Sequence, residues 1–391
     1  MRWFKTIQQI GQKSSVVLGD SLQVDGKSLR TKIGNKFCNV VGLILSFEGY
    51  VKESSAAAGL TKSYAWNILN SITLSMPGGP WCTQVAGRDL INYLGRCGNY
   101  GYNAGGLTHI ADIGTSASDV ALRTKYLIPL APGFFANQGA FDDASALAGA
   151  VPGELFKSSF SGTLNVLSAL MGNWIIGTTA STLRVYAICA HTSKPIAYCP
   201  SNFQAVNSNE STYDLATDGR LTALQALCVL DDAYSTLTAP TEPRLTVDDQ
   251  VVQQLVSGQN LDEISEIWKE YKSELYFDDG VTLLVPGAAP HLAPSGRRFS
   301  VWGAREQQTT AVRYLYHTVS EPEVGLIATS LALEGVPEDQ IRNVISDYSN
   351  LAIAPMGRGC SVLVSGVPAG LAVSPEDRAA RSVVLDVTRA V

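Results

Sequence analysis

From Ser14 onward the chain runs in short apolar stretches rich in Val, Ile, Leu and Thr, punctuated by Gly, Asp, Pro and Ser. That punctuation belongs to strands and turns. It predicts strands over Val16–Val24, Asn39–Lys52, Ile68–Met76, Ala121–Leu130, Gly162–Leu170 and Leu183–His191. Six such runs so close together are spaced as in a sandwich or barrel and leave little room for long helices. One exception is VAGRDLINYLGR, where Leu90, Ile91 and Leu94 recur at helical spacing after Gly87 and predict a short helix.

The second half opens near Ser201, after the turn-rich KPIAYCPSN, and its first strong strand is predicted at Leu221–Leu230. In TAPTEPRLTVDDQ, Thr246 reads as a helix N-cap with Asp248 and Asp249 in the first turn, where carboxylates meet the positive end of the macrodipole. A helix is predicted through VVQQLVSGQNLDEISEIWKEYK, broken near Gly258 and Asn260. Strand-like Val281–Val285, FSVWGAR and AVRYLYHTVS follow. Each half therefore holds a strand, a Pro/Gly-bearing loop, a helix, an extended loop and more strands, with WNILNSITLSMPGG set opposite LTALQALCVLDDAY. Beyond residue 320, GVPEDQIRNVISDY predicts a helix with Ile341, Val344 and Ile345 as its apolar face. Strand-like LAIAPM, CSVLVSGV and SVVLDVTRAV close the chain.

The opening MRWFKTIQQIGQK differs from the rest. Read as a helix, it places Trp3, Phe4, Ile7 and Ile10 on one side, with Arg2, Lys5 and Lys13 adding positive charge. Such an amphipathic arm suits either an interfacial segment in contact with anionic lipid or an inner protein layer, or a frayed terminal helix.

Composition narrows the function classes. Hydrophobic residues are 46% and charged residues 16% of the 391, against roughly 25% charged in ordinary soluble domains. The surface is thus uncharged polar or engaged with partners, as in a subunit buried in an assembly. The length exceeds one ordinary core and suits two domains. A formal charge of −6 without a Lys/Arg run argues against general nucleic-acid binding. Cysteines 38, 82, 97, 189, 199, 228 and 360 form no CxxC and read as buried thiols of a protein made in a reducing cytosol. No run of 18 apolar residues exists, and the polar N-terminus lacks the apolar core of a signal peptide.

Candidate chemistry is sparse. His109, His191, His291 and His317 are far apart, and neither HxH nor HExxH occurs, so no metal site is expected. Asp231 with Asp232, and Asp278 with Asp279, flank turn-like sequence, and neighbours on a strand point to opposite faces. GTSAS at 114–118 is no nucleophile elbow, and GGPWC, GNYGYNAGG and PGAAPHLAPSG lack a phosphate cradle. Trp66, Trp81, Trp174 and Trp302 read as core or interface aromatics, with a sugar-stacking surface as the alternative. No catalytic residue, cofactor or enzyme activity is expected.

The order of these pieces resembles the double jelly-roll major capsid proteins of tailless double-stranded-DNA viruses, many of which enclose a membrane. The resemblance rests on the arm, on WNILNSITLSM followed by VAGRDLINYL, on RTKYLIPLAPGFF and on VPGELF, with Ile68, Ile72, Leu74, Gly87, Leu90, Tyr93, Ile128, Pro129 and Leu130 at the matching places. It covers residues 1–320; the final 70 depart from it. It implies an all-β chain with a few short helices, organised as arm 1–13, first jelly roll 14–198, second jelly roll 199–320, and an extension 321–391 that completes the second barrel or clamps a neighbour. It further implies a homotrimer in a virion lattice beside other virion proteins, made in the host cytoplasm. The arm (Arg2, Trp3, Phe4, Lys5, Ile7, Ile10, Lys13) would face membrane lipid or an inner layer, and no sequence-specific nucleic-acid contact is implied. Another virion or surface β-protein, such as a spike or glycan-binding module, is the alternative.

Overall fold

The computed structural model describes residues 3–33, 36–53, 68–90, 108–109, 119–131, 134–135, 147, 149–166, 174–176, 181–193, 196, 198–208, 210, 212–217, 219–220, 222–231, 244–254, 282–283, 295–302, 312–349, 353–355 and 362–364. Within them sixteen strands form two sets of eight. The first set is β1 (Trp3–Ser14), β2 (Ser21–Asp25), β3 (Phe37–Glu53), β4 (Leu69–Met76), β5 (Gly79–Val85), β6 (Val120–Pro129), β7 (Ser161–Val166) and β8 (Thr182–Thr192). The second is β9 (Ser201–Ser208), β10 (Thr212–Leu215), β11 (Thr222–Asp231), β12 (Arg244–Val247), β13 (Gln250–Gln254), β14 (Thr282–Leu283), β15 (Phe299–Trp302) and β16 (Val312–Ser320).

Sheet order shows the duplication. The first set forms sheets β1-β8-β3-β6 and β2-β7-β4-β5; the second forms β9-β16-β11-β14 and β10-β15-β12-β13. Adding eight to each strand of the first set gives the second. Two facing antiparallel sheets wound in this order are a jelly roll, and the chain holds two in tandem. Short pieces extend the first sheet of each roll: Thr108–His109 beside β6, Val151–Pro152 and Trp174–Ile176 beside β3, and Ser295–Gly296 beside β11.

Alternation explains the layers. In β2, Leu22 and Val24 point inward between exposed Ser21, Gln23 and Asp25. In β3, Leu43, Leu45, Phe47 and Val51 are buried on one face, while Glu48 lies on the other and pairs with Arg123 at 2.7 Å and Arg184 at 3.0 Å. Ion pairs across three strands suit a face in contact with water.

The register irregularities repeat as well. In the β4–β5 hairpin Met76 pairs with Gly79, Ser75 with Pro80 and Leu74 with Cys82, leaving Trp81 as the extra residue. In the β12–β13 hairpin Val247 pairs with Gln250, Thr246 with Val251 and Leu245 with Gln253, leaving Val252 as the extra residue. Likewise Val41 bulges from β3 opposite the Ile188–Cys189 step, and Gln225 bulges from β11 opposite His317–Thr318. Bulges re-aim single side chains. Their recurrence sets Trp81 against Val252 and His317 against Ile188, residue for residue.

Three expectations are corrected. The arm is not a helix: Trp3–Ser14 is edge strand β1, paired along its length with β8. Tertiary pairing overrides the weak helical pattern, and period-2 geometry sends Ile7 outward and Ile10 into the core, so no single apolar face forms. The first roll therefore begins at β1, ahead of the expected boundary at residue 14. Thr246, Asp248 and Asp249 do not open a helix either. They belong to a hairpin whose two turn residues, Asp248 (φ 48°) and Asp249 (φ 65°), take the left-handed conformations of a tight two-residue turn. Asp248 Oδ1 accepts from the Arg297 and Arg298 amides, which holds the turn down. Finally, the strand within LTALQALCVL, β11 from Thr222, corresponds by sheet order to β3, and not to β4, the strand within WNILNSITLSM that starts at Leu69.

The remaining strand expectations fall close to observed elements, although Val16–Asp20 forms a bend in which the Asp20 carboxylate accepts from the Val17 amide. Helix α1 (Gly153–Ser159) comes from VPGELF. After β16 come α2 (Val324–Leu333) and α3 (Glu338–Ser349). Helix α2 ends where Gly335, at φ +80°, lets the Val336 and Gly335 amides reach the Leu331 and Ala332 carbonyls. Its Ile327 and Leu331 are buried in the first roll's core cluster. The start of the extension thus folds back onto the same chain. The expected helix beyond Gln254, Ile91 and Leu94, Trp66, His291, Asp278 and Asp279, GTSAS and SVVLDVTRAV lie outside the described residues.

Candidate assembly site

The residues the two rolls share are the most organised non-repetitive feature of the chain. One apolar cluster contains the whole first-roll core together with Tyr198, Phe203, Leu315, Ile327 and Leu331; a smaller one, with Leu215, Leu224, Leu245, Val247, Phe299, Val301, Tyr314 and Tyr316, is the second roll's own. Strand β16 divides between them by parity. Tyr314 and Tyr316 enter the second roll, whereas Leu315 and His317 face the first. A strand buried on both faces reads as the near-continuous apolar run YLYHTV.

Trp81 is the centre of the junction. The bulge swings it off β5 and onto β9 and β16, where it is 1% exposed. Its ring lies 5.6 Å from that of Phe203, with the planes inclined by 30°, and meets His317 edge-on at 5.8 Å. Its Nε1–H donates to Ser201 Oγ at 2.9 Å, so the indole is satisfied as well as buried. At the hairpin tip the Tyr198 hydroxyl donates to the Pro77 carbonyl at 2.7 Å. A side chain at Gly78 would press on Leu326 of α2 at 3.1 Å, and the residue's φ of +91° already favours glycine.

Beside this apolar contact stands a buried ion pair. Arg313 of β16 donates from Nε to Asp89 Oδ1 at 2.8 Å and from NH2 to Asp89 Oδ2 at 2.6 Å. Asp89 has no exposed surface, and it also caps its own turn by accepting from the Ala86 amide at 3.1 Å. Arg313 further donates to Asn207 Oδ1 at 2.9 Å.

Burial pushes the pKa of His317 down to about 3, so the ring is neutral in the folded chain. The unfolded chain then takes up the proton first. Stability attributable to this group is complete above about pH 6.5 and falls by about 1.4 kcal/mol per pH unit below it, until the pH approaches 3. Denaturant midpoints measured from pH 7 to 5 should fall, and His317→Ile should flatten that slope by one proton's worth.

The residues predicted for lipid or inner-layer contact do not converge. Phe4 is 41% exposed and stacks on His191 at 4.7 Å; Lys5 Nζ lies 4.7 Å from the Phe134 ring centre. Ile7 is 64% exposed, Ile10 is in the core, and Lys13 pairs with Asp20 at 3.1 Å. Trp3 is placed only as the β-partner of Thr192, and Arg2 is outside the described residues. His191 and His317 lie in different rolls. Among the described residues no cluster of three His, Cys, Asp or Glu could hold a metal, and no helix is long and apolar enough to cross a membrane. Cys38, Cys82, Cys189 and Cys199 are buried free thiols, and burial pushes Cys82 and Cys199 up to about 12. The junction itself was missed in sequence, although Trp81 beside Pro80 after a Gly-Gly turn marks an irregular hairpin.

This arrangement defines the double jelly-roll class of fold. Within it the chain is similar to the major capsid protein of Sulfolobus turreted icosahedral virus (STIV), with 16% identity, a TM-score of 0.51, and coverage of 81% of this chain and 97% of that one. A second structure, of the whole STIV particle, gives 14% identity, a TM-score of 0.50, and coverage of 88% and 97%. VP54 of PBCV-1 gives 12% identity, a TM-score of 0.50, and coverage of 82% and 96%. No family model matches the sequence, and no curated protein matches it.

Proposed function

We propose that this chain is a major capsid protein: a structural subunit, without catalytic role, that assembles with copies of itself into the shell of an icosahedral virion. The observation that carries the reading is the tandem pair of identically wound rolls, locked over one apolar cluster, across nearly the full length of a viral major capsid protein. A rigid two-roll block makes one polypeptide present two like faces to its neighbours. Three copies arranged about an axis then form a six-sided unit, the shape that tiles a shell. Low charge content and the position of β1 at the edge of its sheet, among the described residues, agree with surfaces meant for burial. Light scattering on the purified chain should give the mass of three copies, and negative-stain images should show six-lobed particles. A stable monomer at high concentration, unable to form such particles under any assembly condition, would overturn the reading.

A further inference from the structure

Resting on that reading, we infer that the hairpin of the second roll docks, through Val252, on the edge that Ile7 and Tyr186 form on a second copy's first roll. The chain already makes this contact once, internally. The β4–β5 hairpin of roll one lays Trp81 on the β9–β16 surface of roll two, while Pro80 beside it stays exposed. Sheet order and the repeated bulges give the counterparts. Val251 and Val252 stand where Pro80 and Trp81 stand. On the receiving side, the bulges match His317 with Ile188. Phe203 pairs with His317 as Ile7 pairs with Ile188, so Ile7 matches Phe203; Leu315 likewise matches Tyr186, and Ser201 matches Lys5.

The internal copy of the contact is closed and the other is open. Trp81, Phe203, Leu315 and His317 are buried. Val252 is 47% exposed and Ile7 64%, whereas their counterparts Trp81 and Phe203 are each 1% exposed, which places one exposed apolar side chain on each half of a missing contact; Ile188, the counterpart of His317, is already buried in its own core at 5%. Exposed apolar residues scattered singly need no explanation, but these match the two sides of an interface the chain already forms. The hairpin and the patch lie on different rolls, so the contact is heterologous and propagates from copy to copy until a ring closes. Strand β1, which the sequence suggested for lipid, would be covered by protein.

The test uses the full chain with Val252→Glu, Ile7→Lys and the two combined, with circular dichroism as the fold control. Each single change should weaken association at least tenfold in sedimentation equilibrium, and combining them in one chain should recover it by pairing Glu with Lys at every contact, whereas a mixture of the two single variants restores at most two of the three contacts in a ring of three. Single variants that associate like wild type would overturn the docking while leaving the trimer reading standing. A wild-type chain that is monomeric throughout would overturn both. An Ile7→Lys chain that associates normally but no longer sediments with vesicles of anionic phospholipid would overturn the docking and assign the patch to lipid.

Discussion

A Trp81→Ala chain is expected to lose about 3–5 kcal/mol of stability, the range for truncating a fully buried large aromatic. The loss has three parts. The indole's apolar contact with Phe203 and His317 goes, Ser201 loses its donor, and a cavity opens between two elements that cannot easily collapse because each belongs to its own sheet. Urea denaturation followed by circular dichroism should show a lower midpoint. It should also show a broader or biphasic transition, since the junction is what makes the rolls unfold together. Phe203→Ala should cost less alone, and the double mutant should reveal a coupling of about 1 kcal/mol for the stacked pair. An unchanged, single transition for Trp81→Ala would mean that the shared cluster is held elsewhere.

How much of this was legible beforehand follows from the physics of each element. The runs at 39–52, 121–130 and 183–191 read correctly because their inner faces are filled by β-branched and aromatic residues between turn signals, and they became β3, β6 and β8. The arm misled because Trp3, Phe4, Ile7 and Ile10 satisfy a helical spacing; a strand with a bulge at Ile10 between Gln9 and Gly11 has no clean period 2. VDDQ misled for a related reason. Acidic residues after a Thr are common to helix starts and to tight turns, and only the cross-strand partners of Leu245 and Val247 decide between them. The junction could not be read at all, since Trp81, Tyr198, Phe203 and His317 are far apart in sequence and come together only when both rolls are closed. What sequence order did carry was the duplication, but with strands assigned to the wrong partners, because only hydrogen-bonded sheet order identifies counterparts.

Removing the guanidinium of the buried pair should cost about as much as removing the indole. Arg313→Met leaves the Asp89 carboxylate, which has no exposed surface, without its two charge-assisted hydrogen bonds, and breaking a buried pair from one side typically costs 3–5 kcal/mol. The apolar stem of Met fills much of the space, so the deficit is electrostatic and not a packing void. Asp89→Asn in the same chain should recover a large part of it. An amide oxygen can still accept from the Ala86 amide, and no buried charge remains. Arg313→Lys should recover little, because a single ammonium cannot reproduce the two-pronged geometry toward both carboxylate oxygens. Thermal denaturation of the four chains at one pH orders them as wild type, double variant, then Lys and Met singles. If the Arg313→Met chain matched wild type, the pair would be a bystander, and the apolar cluster alone would lock the rolls.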